Sequence, residues 1–245
     1  MEAPLLQIID AHTHADNSDF IQMLQTDQVY ATINCASPRE FNDHFKAIGD
    51  SKRLLLSAGI HPWKVNQIQW NEMQPIFDQV PIIGEIGLDN VWTTNPVELQ
   101  KVIFKKHLSY ALQSQKPVII HAKGQELETL KILKTYPNRY LIHWYSSERY
   151  VQDFLNLGCY FSIGPSFETE ASVQKLLYMI PFDRVLIESD GLESIAWALN
   201  RPFKIKSYAP FMESMIERLA QVHHVPVLKM EQQLIQNLHS FWGIQ

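Results

Sequence analysis

The sequence predicts an α/β fold, a (β/α)8 TIM-like barrel with a C-terminal closing helix, and three observations carry that prediction. Eight short apolar runs rich in β-branched residues recur along the chain, stretches of helical length separate them, and no glycine-rich phosphate turn follows the first run. Strands that alternate with helices pair in parallel, because each return crosses the sheet face through a helix. Eight such units suit a closed barrel. An open doubly wound sheet has fewer strands and a Gly-X-Gly-X-X-Gly turn, and neither that turn nor a Walker-type loop is present.

The expected strands are Leu5 to Asp10, Val29 to Cys35, Leu54 to His61, Pro81 to Asp89, Pro117 to Lys123, Tyr140 to Tyr145, Cys159 to Gly164 and Val185 to Asp190. Between them, Phe20, Met23 and Leu24 form one short apolar face, and Ser37-Pro38-Arg39-Glu40 has the form of a helix start. Leu99, Val102, Ile103, Lys106, Tyr110 and Leu112 lie on a longer segment rich in helix formers. The tail from Val225 to Gln245 places Leu228, Met230, Leu234, Leu238 and Phe241 at roughly helical spacing, which predicts a closing helix on the barrel wall. No linker, repeat or low-complexity tract divides the chain, so residues 1–245 are expected to form a single domain.

The chain is 46% hydrophobic and 19% charged, as globular proteins are, and no apolar run approaches the roughly eighteen residues of a membrane span. Met1-Glu2 opens without a signal-peptide pattern, so a cytoplasmic location is expected. A net charge of −5 argues against tight, non-specific coating of nucleic acid. It leaves room for a phosphate-bearing substrate, because a metal centre supplies a local positive field. Cys35 and Cys159 lie in separate runs without a Cys-X-X-Cys pair, which excludes a thiol-rich zinc site and a disulfide framework.

His12 and His14 stand at the end of the first run, and alternation points them the same way. Alone, a His-X-His pair reads better as two unrelated loop residues than as half of a metal site. Four further groups change that reading: Glu85 in the fourth strand, His121 ending the fifth, His143 in the sixth and Asp190 ending the eighth. All fall toward the carboxyl ends of their strands, the face where barrel enzymes assemble active sites. Four histidines and two carboxylates in apolar runs are costly to bury without shared partners, and divalent cations are such partners. The donor set suits zinc, manganese, cobalt, nickel or, less well, magnesium. Six ligands are too many for one catalytic ion with an open position, so two ions bridged by a carboxylate are expected.

The chain resembles the TatD-type metal-dependent hydrolases of the amidohydrolase superfamily. The matching segments are Asp10-Ala11-His12-Thr13-His14, Gly59-Ile60-His61-Pro62, Gly84-Glu85-Ile86-Gly87-Leu88-Asp89, Pro117-Val118-Ile119-Ile120-His121, His143 and Glu188-Ser189-Asp190, with Gln100 and Phe104 before the fifth strand. The resemblance implies that His12, His14 and Asp190 hold one ion, that His121 and His143 hold a second, and that Glu85 bridges them. It also implies that Asp190 accepts the proton of the attacking water. His61 is then expected near the site without holding an ion, as a substrate contact or a loop-orienting ring, while Asp10 and Asp89 play supporting parts. The chain departs from the family's usual pattern at three places: Lys123 replaces an arginine, Trp144-Tyr145-Ser146-Ser147 replaces a small-residue turn, and Gly191-Leu192-Glu193-Ser194 lacks a proline. Lys123 offers phosphate a point charge in place of a bidentate fork.

The expected function is therefore a hydrolase using two divalent ions, most simply a deoxyribonuclease that cleaves phosphodiester bonds of DNA ends or single-stranded DNA with a metal-activated water. The alternatives are a hydrolase of a small amide, lactone or phosphoester on the same site, and a binding barrel without catalysis. Arg201, Lys204 and Lys206 read either as a phosphate-steering patch or as a solvated loop, and Trp144 and Tyr145 either as base-stacking rings or as barrel wall.

Overall fold

The computed structural model describes residues 6–15 and 17–244; Met1, Glu2, Leu5 and Gln245, on which parts of the reading above fall, lie outside them. Eight strands form one parallel sheet in sequential order: β1 (Ile9–Thr13), β2 (Tyr30–Cys35), β3 (Leu54–Ala58), β4 (Ile82–Asp89), β5 (Val118–Lys123), β6 (Tyr140–Ile142), β7 (Tyr160–Ile163) and β8 (Val185–Ile187). The helices around them are α1 (Ser18–Thr26), α2 (Pro38–Ile48), α3 (Trp70–Phe77), α4 (Val97–Ser114), α5 (Glu126–Leu133), α6 (Val151–Asn156), α7 (Ala171–Met179), α8 (Leu192–Ala198), α9 (Tyr208–Val222) and α10 (Val227–Trp242). Helices cover one sheet face and packed side chains fill the other, so every residue of β4 is buried, Glu85 and Asp89 included.

Local chemistry explains where the elements begin. Ser37 caps α2 by accepting from the Glu40 N–H at 3.2 Å, Glu40 Oε2 accepts from the Ala36 N–H at 2.9 Å, and Pro38 takes the first turn, where no N–H partner is needed. α10 buries Met230, Leu234, Leu238 and Phe241 against α9, β8 and β1. Burying side chains of this size stabilises by about 1.5–3 kcal/mol each. The Trp242 Nε1–H also reaches Thr32 Oγ1 at 2.9 Å, tying the last helix to β2.

Three expectations need correction. β1 extends through His12, so only His14 lies past its end, while β6 stops before His143 and β8 stops three residues before Asp190. In α4 the buried face carries Gln100, Phe104, His107, Leu108 and Ala111, and Val102 and Leu112 face solvent. Two polar residues turned inward hide the true apolar stripe from a hydrophobic count. The segment carrying Arg201, Lys204 and Lys206, one reading of which is a solvated loop, follows α8 and includes a short 3-10 helix at Ile205–Ser207.

The barrel is irregular where it becomes polar. The β1–β2 register shifts between Asp10 and Thr13, and the β4–β5 register shifts between Ile83 and Ile86, so His12 and Glu85 both sit at local breaks that re-aim side chains. At the junction of first and last strands, Asp190 N–H donates to His12 O at 3.1 Å, and Ser189 N–H donates to Asp10 Oδ1 at 2.9 Å. Ser189 Oγ–H and Tyr208 O–H both donate to Asp10 Oδ2, at 2.5 and 2.7 Å. One backbone bond and the side chains of Asp10, Ser189 and Tyr208 therefore close this junction at the carboxyl end of the barrel.

His107 of α4 fixes another part of that end. Its Nδ1–H donates to Ile103 O at 2.8 Å, so its Nε2 is free to accept from the Ile60 N–H at 3.2 Å, one residue before His61. Burial holds its pKa down at about 4, the bond to Ile103 opposing and the Lys106 charge assisting. An unfolded chain takes up this proton near pH 6.5, so below that pH the unfolded state binds more protons and stability falls until about pH 4. The loss attributable to His107 is about 3 kcal/mol. Urea unfolding between pH 7 and pH 4 is expected to show it, and His107→Gln, which keeps a donor and an acceptor, is expected to flatten that part of the acid limb.

Candidate metal centre

The six residues expected at the strand ends, together with His61, meet at the carboxyl end of the barrel. Glu85 is the hub. Its Oε2 lies 3.4 Å from His12 Nε2 and 3.4 Å from His14 Nε2, while Asp190 Oδ1 stands 3.4 Å from the first and 3.6 Å from the second. Its Oε1 lies 2.7 Å from His121 Nδ1, 2.7 Å from His143 Nε2 and 3.1 Å from His61 Nε2. The two oxygens of one carboxylate thus face two different sets of imidazoles.

Hydrogen bonds behind the rings fix which nitrogens carry protons. Asp89 Oδ2 accepts from His121 Nε2–H at 2.9 Å, which leaves His121 Nδ1 as a lone pair aimed at the hub. Glu188 Oε1 lies 3.3 Å from His143 Nδ1 and so favours the proton there, leaving Nε2 bare; Ser162 Oγ–H donates to the other Glu188 oxygen at 2.6 Å. His121 Nδ1 and His143 Nε2, both acceptors in this arrangement, are 3.2 Å apart and each 2.7 Å from a carboxylate oxygen. Three acceptors so close repel unless a cation or proton lies among them. His61 differs: its Nδ1 accepts from the Trp63 N–H at 3.1 Å, so its Nε2–H donates to Glu85. A nitrogen that carries a proton is a donor and not a metal ligand.

The charges tell the same story. Burial raises the Glu85 carboxyl pKa, but the imidazoles around it, His61 and His143 first and then His12 and His121, outweigh it and leave it well below the usual range. For Asp190, burial is likewise outweighed, first by His12 and then by the charges of His14 and His143, and its pKa falls to about 2. Burial would hold His12 neutral, yet Asp190 and Glu85 lift it to about 9, and Glu85 and Glu188 lift His143. The site attracts positive charge. His12 Nε2 is buried between two carboxylates without a directed hydrogen bond to either, and the donor atoms of His12, His14 and Glu85, of His12, His143 and Asp190, and of His61, Glu85 and His121 fall within 4.8 Å of one another in each group. Nitrogen and oxygen donors without thiolate fit divalent ions of the zinc, manganese or magnesium kind.

Asn34 carried no role in the sequence reading. Asn34 Oδ1 accepts from the Glu85 N–H at 2.8 Å and from Ser57 Oγ–H at 3.1 Å, holding the hub from below. Asn34 interrupts an apolar run just as His12 and Glu85 do, so the same signal marks it. Asp10, pushed up to about 7 by burial against the opposing bonds from Ser189 and Tyr208, anchors the Ser189-Asp190-Gly191 turn. Asp89 also accepts from Trp63 Nε1–H at 2.6 Å and from the backbone N–H groups of Val91 and Trp92. Lys123 donates to Trp144 O at 2.7 Å and Ser146 Oγ at 2.9 Å, so most of its hydrogen-bonding capacity is spent on the loop after His143, and burial lowers its pKa. Tyr145 is buried wall, whereas Trp144 turns one ring face toward Trp197.

The model of the family described as TatD related DNase matches residues 9–243. Among similar proteins, an uncharacterised metal-dependent hydrolase of Buchnera aphidicola is 27% identical over 75% of this chain and 77% of its own length. YcfH of Escherichia coli K12, named in the same terms, is 25% identical over 88% of this chain and 92% of its own. The human 3'-5' RNA nuclease TATDN2 is 26% identical over 69% of this chain, a match that spans 21% of its own length. The crystal structure of the TatD homologue YJJV of Escherichia coli K12 superposes with a TM-score of 0.84 over 99% of this chain and 100% of its own, at 19% identity. No helix among the described residues is long and apolar enough to cross a membrane. A barrel of eight parallel strands with clustered histidines and carboxylates at its carboxyl end, matched by the family model from β1 to the last turn of α10, belongs to the TatD related DNase family and is a metal-dependent hydrolase.

Proposed function

We propose that this hydrolase uses two divalent ions to cleave phosphodiester bonds, as a deoxyribonuclease acting on DNA ends or single strands. The observation that carries the two-ion reading is the division of Glu85, whose Oε2 faces His12 and His14 and whose Oε1 faces His121 and His143. His12, His14 and Asp190 would hold one ion and His121 and His143 the other, with Glu85 shared between the two sets. Such ions supply Lewis acidity, which makes a water acidic enough to attack and offsets charge on the departing oxygen. The nuclease reading draws support from membership of the TatD related DNase family.

The chain's own groups then divide the work. His12, Glu85, His121 and His143 are buried, while His14 and Asp190 keep side-chain exposures of 33% and 16%, so water and substrate enter on the side of these two. Asp190, held ionised, receives the proton of the attacking water as the new P–O bond forms and the old one breaks. Ser194 Oγ–H donates to Asp190 Oδ2 at 2.9 Å and keeps that carboxylate from rotating away. His61 steadies Glu85, and Lys123 steadies the loop after His143. A second reading, hydrolysis of a small amide, lactone or phosphoester on the same site, is favoured by the commitment of the Lys123 ammonium to Trp144 and Ser146.

Metal-stripped protein is expected to gain roughly 5–10 °C in Tm when manganese or zinc is supplied at about a hundredfold over Kd, and His12→Ala to lose that gain. Scanning calorimetry with each metal decides this; an unchanged Tm in the wild type would favour the barrel without catalysis. End-labelled single-stranded DNA is expected to be cleaved only after metal is restored, with Glu85→Ala slower by about 10²-fold or more. Cleavage of small esters or amides without cleavage of DNA would select the second reading. Asp190→Asn is expected to lower kcat by about 10² to 10⁴, and full activity in that variant would remove Asp190 from the proton-accepting role.

A further inference from the structure

Two exposed indoles meet over the mouth of the barrel. Trp92 follows β4, Trp197 lies on α8 after β8, and their rings touch edge to face with centroids 6.0 Å apart. In a barrel of eight strands in sequential order, β4 and β8 are opposite one another, so this contact crosses the mouth. Trp144, beside His143, continues the chain of rings with its centroid 5.9 Å from that of Trp197. Trp144 is nearly buried and its Nε1–H donates to Ser166 Oγ at 2.9 Å, so it is a fixed support. Trp92 and Trp197 remain 58% and 62% exposed, leaving two large apolar faces in water directly over the polar site.

The clasp is held from beneath. The Trp92 N–H donates to Asp89 Oδ1 at 2.8 Å, and Asp89 Oδ2 accepts from both Trp63 Nε1–H and His121 Nε2–H. One carboxylate thus sets both the rim and a ring of the metal centre. Beyond the indoles, Arg201, Lys204 and Lys206 follow α8 and Lys64 follows Trp63; all are exposed and none has a carboxylate partner among the described residues. Flat apolar faces on a mouth whose flanking segments carry exposed cations complement a nucleotide, whose base presents a π face and whose phosphate presents charge.

We propose that Trp92 and Trp197 form a stacking subsite for an unpaired nucleobase next to the scissile phosphodiester, and so select single-stranded ends over duplex. This rests on the nucleic-acid reading above. In a duplex the interior base faces are covered by their neighbours, so along a strand an unpaired base offers the indoles a surface that a duplex offers only at its outermost pair. Preformed edge-to-face contacts reduce the ordering that binding requires.

The test is binding and cleavage measured side by side on the full chain with manganese. Fluorescein-labelled (dT)8, (U)8 and a blunt duplex of equal length are titrated with Glu85→Gln protein, and the same substitution is combined with Trp92→Ala, Trp197→Ala, Trp197→Phe or Tyr178→Ala, the last an exposed ring on α7. The expected results are quenching of indole emission by the single strands, weaker binding of the duplex, and a loss of about tenfold or more in single-strand affinity for each Trp→Ala change. Trp197→Phe and Tyr178→Ala should bind like the parent, and the two single strands report whether the sugar matters. Equal affinity across the variants, or equal affinity for strand and duplex, overturns the subsite. Parallel assays of wild-type protein separate the two claims. Trp-dependent binding without DNA cleavage would leave the subsite and remove the nuclease reading, whereas DNA cleavage indifferent to both indoles would do the reverse.

Discussion

A carboxylate buried among imidazoles is the constraint on which this structure turns. Glu85 is 3% exposed, and an ionised carboxylate in such a place is stable only with opposing charge or donors on both oxygens. The barrel meets that requirement from all sides. β1 supplies His12, the residue after it supplies His14, the loop after β3 supplies His61, β5 supplies His121 and the residue after β6 supplies His143. Asn34 of β2 grips the Glu85 backbone, so the hub is also fixed along its own chain. The breaks in register at β1 and β4 follow from the same need, since a regular pleat would not turn these side chains onto a common point.

Around the hub, a second set of acids determines what each ring can do. Asp89 and Glu188 draw the protons of His121 and His143 to the far side of each ring, leaving lone pairs inward, while the Trp63 N–H draws the lone pair of His61 outward and leaves a proton inward. Rings of identical chemistry thereby present a lone pair or a donor to the hub according to what stands behind them. Asp89 makes this arrangement continuous with the rim, because it accepts from His121, from Trp63 and from the loop that carries Trp92.

Much of this was legible in the sequence because burying polar groups is costly. Eight apolar runs marked eight strands, and His12, His14, Glu85, His121, His143 and Asp190 stood out as polar residues in or beside them; the structure brings all six together. Edges were less legible. β6 and β8 are shorter than their apolar runs, since the chain leaves the ladder before His143 and Asp190 to reach the site, and hydrophobicity does not record where a ladder ends. The inward face of α4 was hidden because Gln100 and His107 are buried as hydrogen-bonding partners of Asp89 and Ile60, a use that periodicity counts as exposure. Asn34 carried the right signal without an assigned role. The contact between Trp92 and Trp197 left no trace, because it joins the loop after β4 to α8 across the mouth and depends on closure of the barrel.

That closure gives the junction of β1 and β8 a meaning in time as well as in space. Asp10 and Ser189 are 179 residues apart in sequence, and the backbone bond from Asp190 to His12 lies beside their contact. Until the last strand meets the first, His12 and His14 have no Asp190 beside them and the site lacks its most accessible carboxylate. A chain still emerging from the ribosome therefore carries most of the histidines but no complete centre. The complete arrangement of polar groups is reached only when the final turn of the barrel is in place.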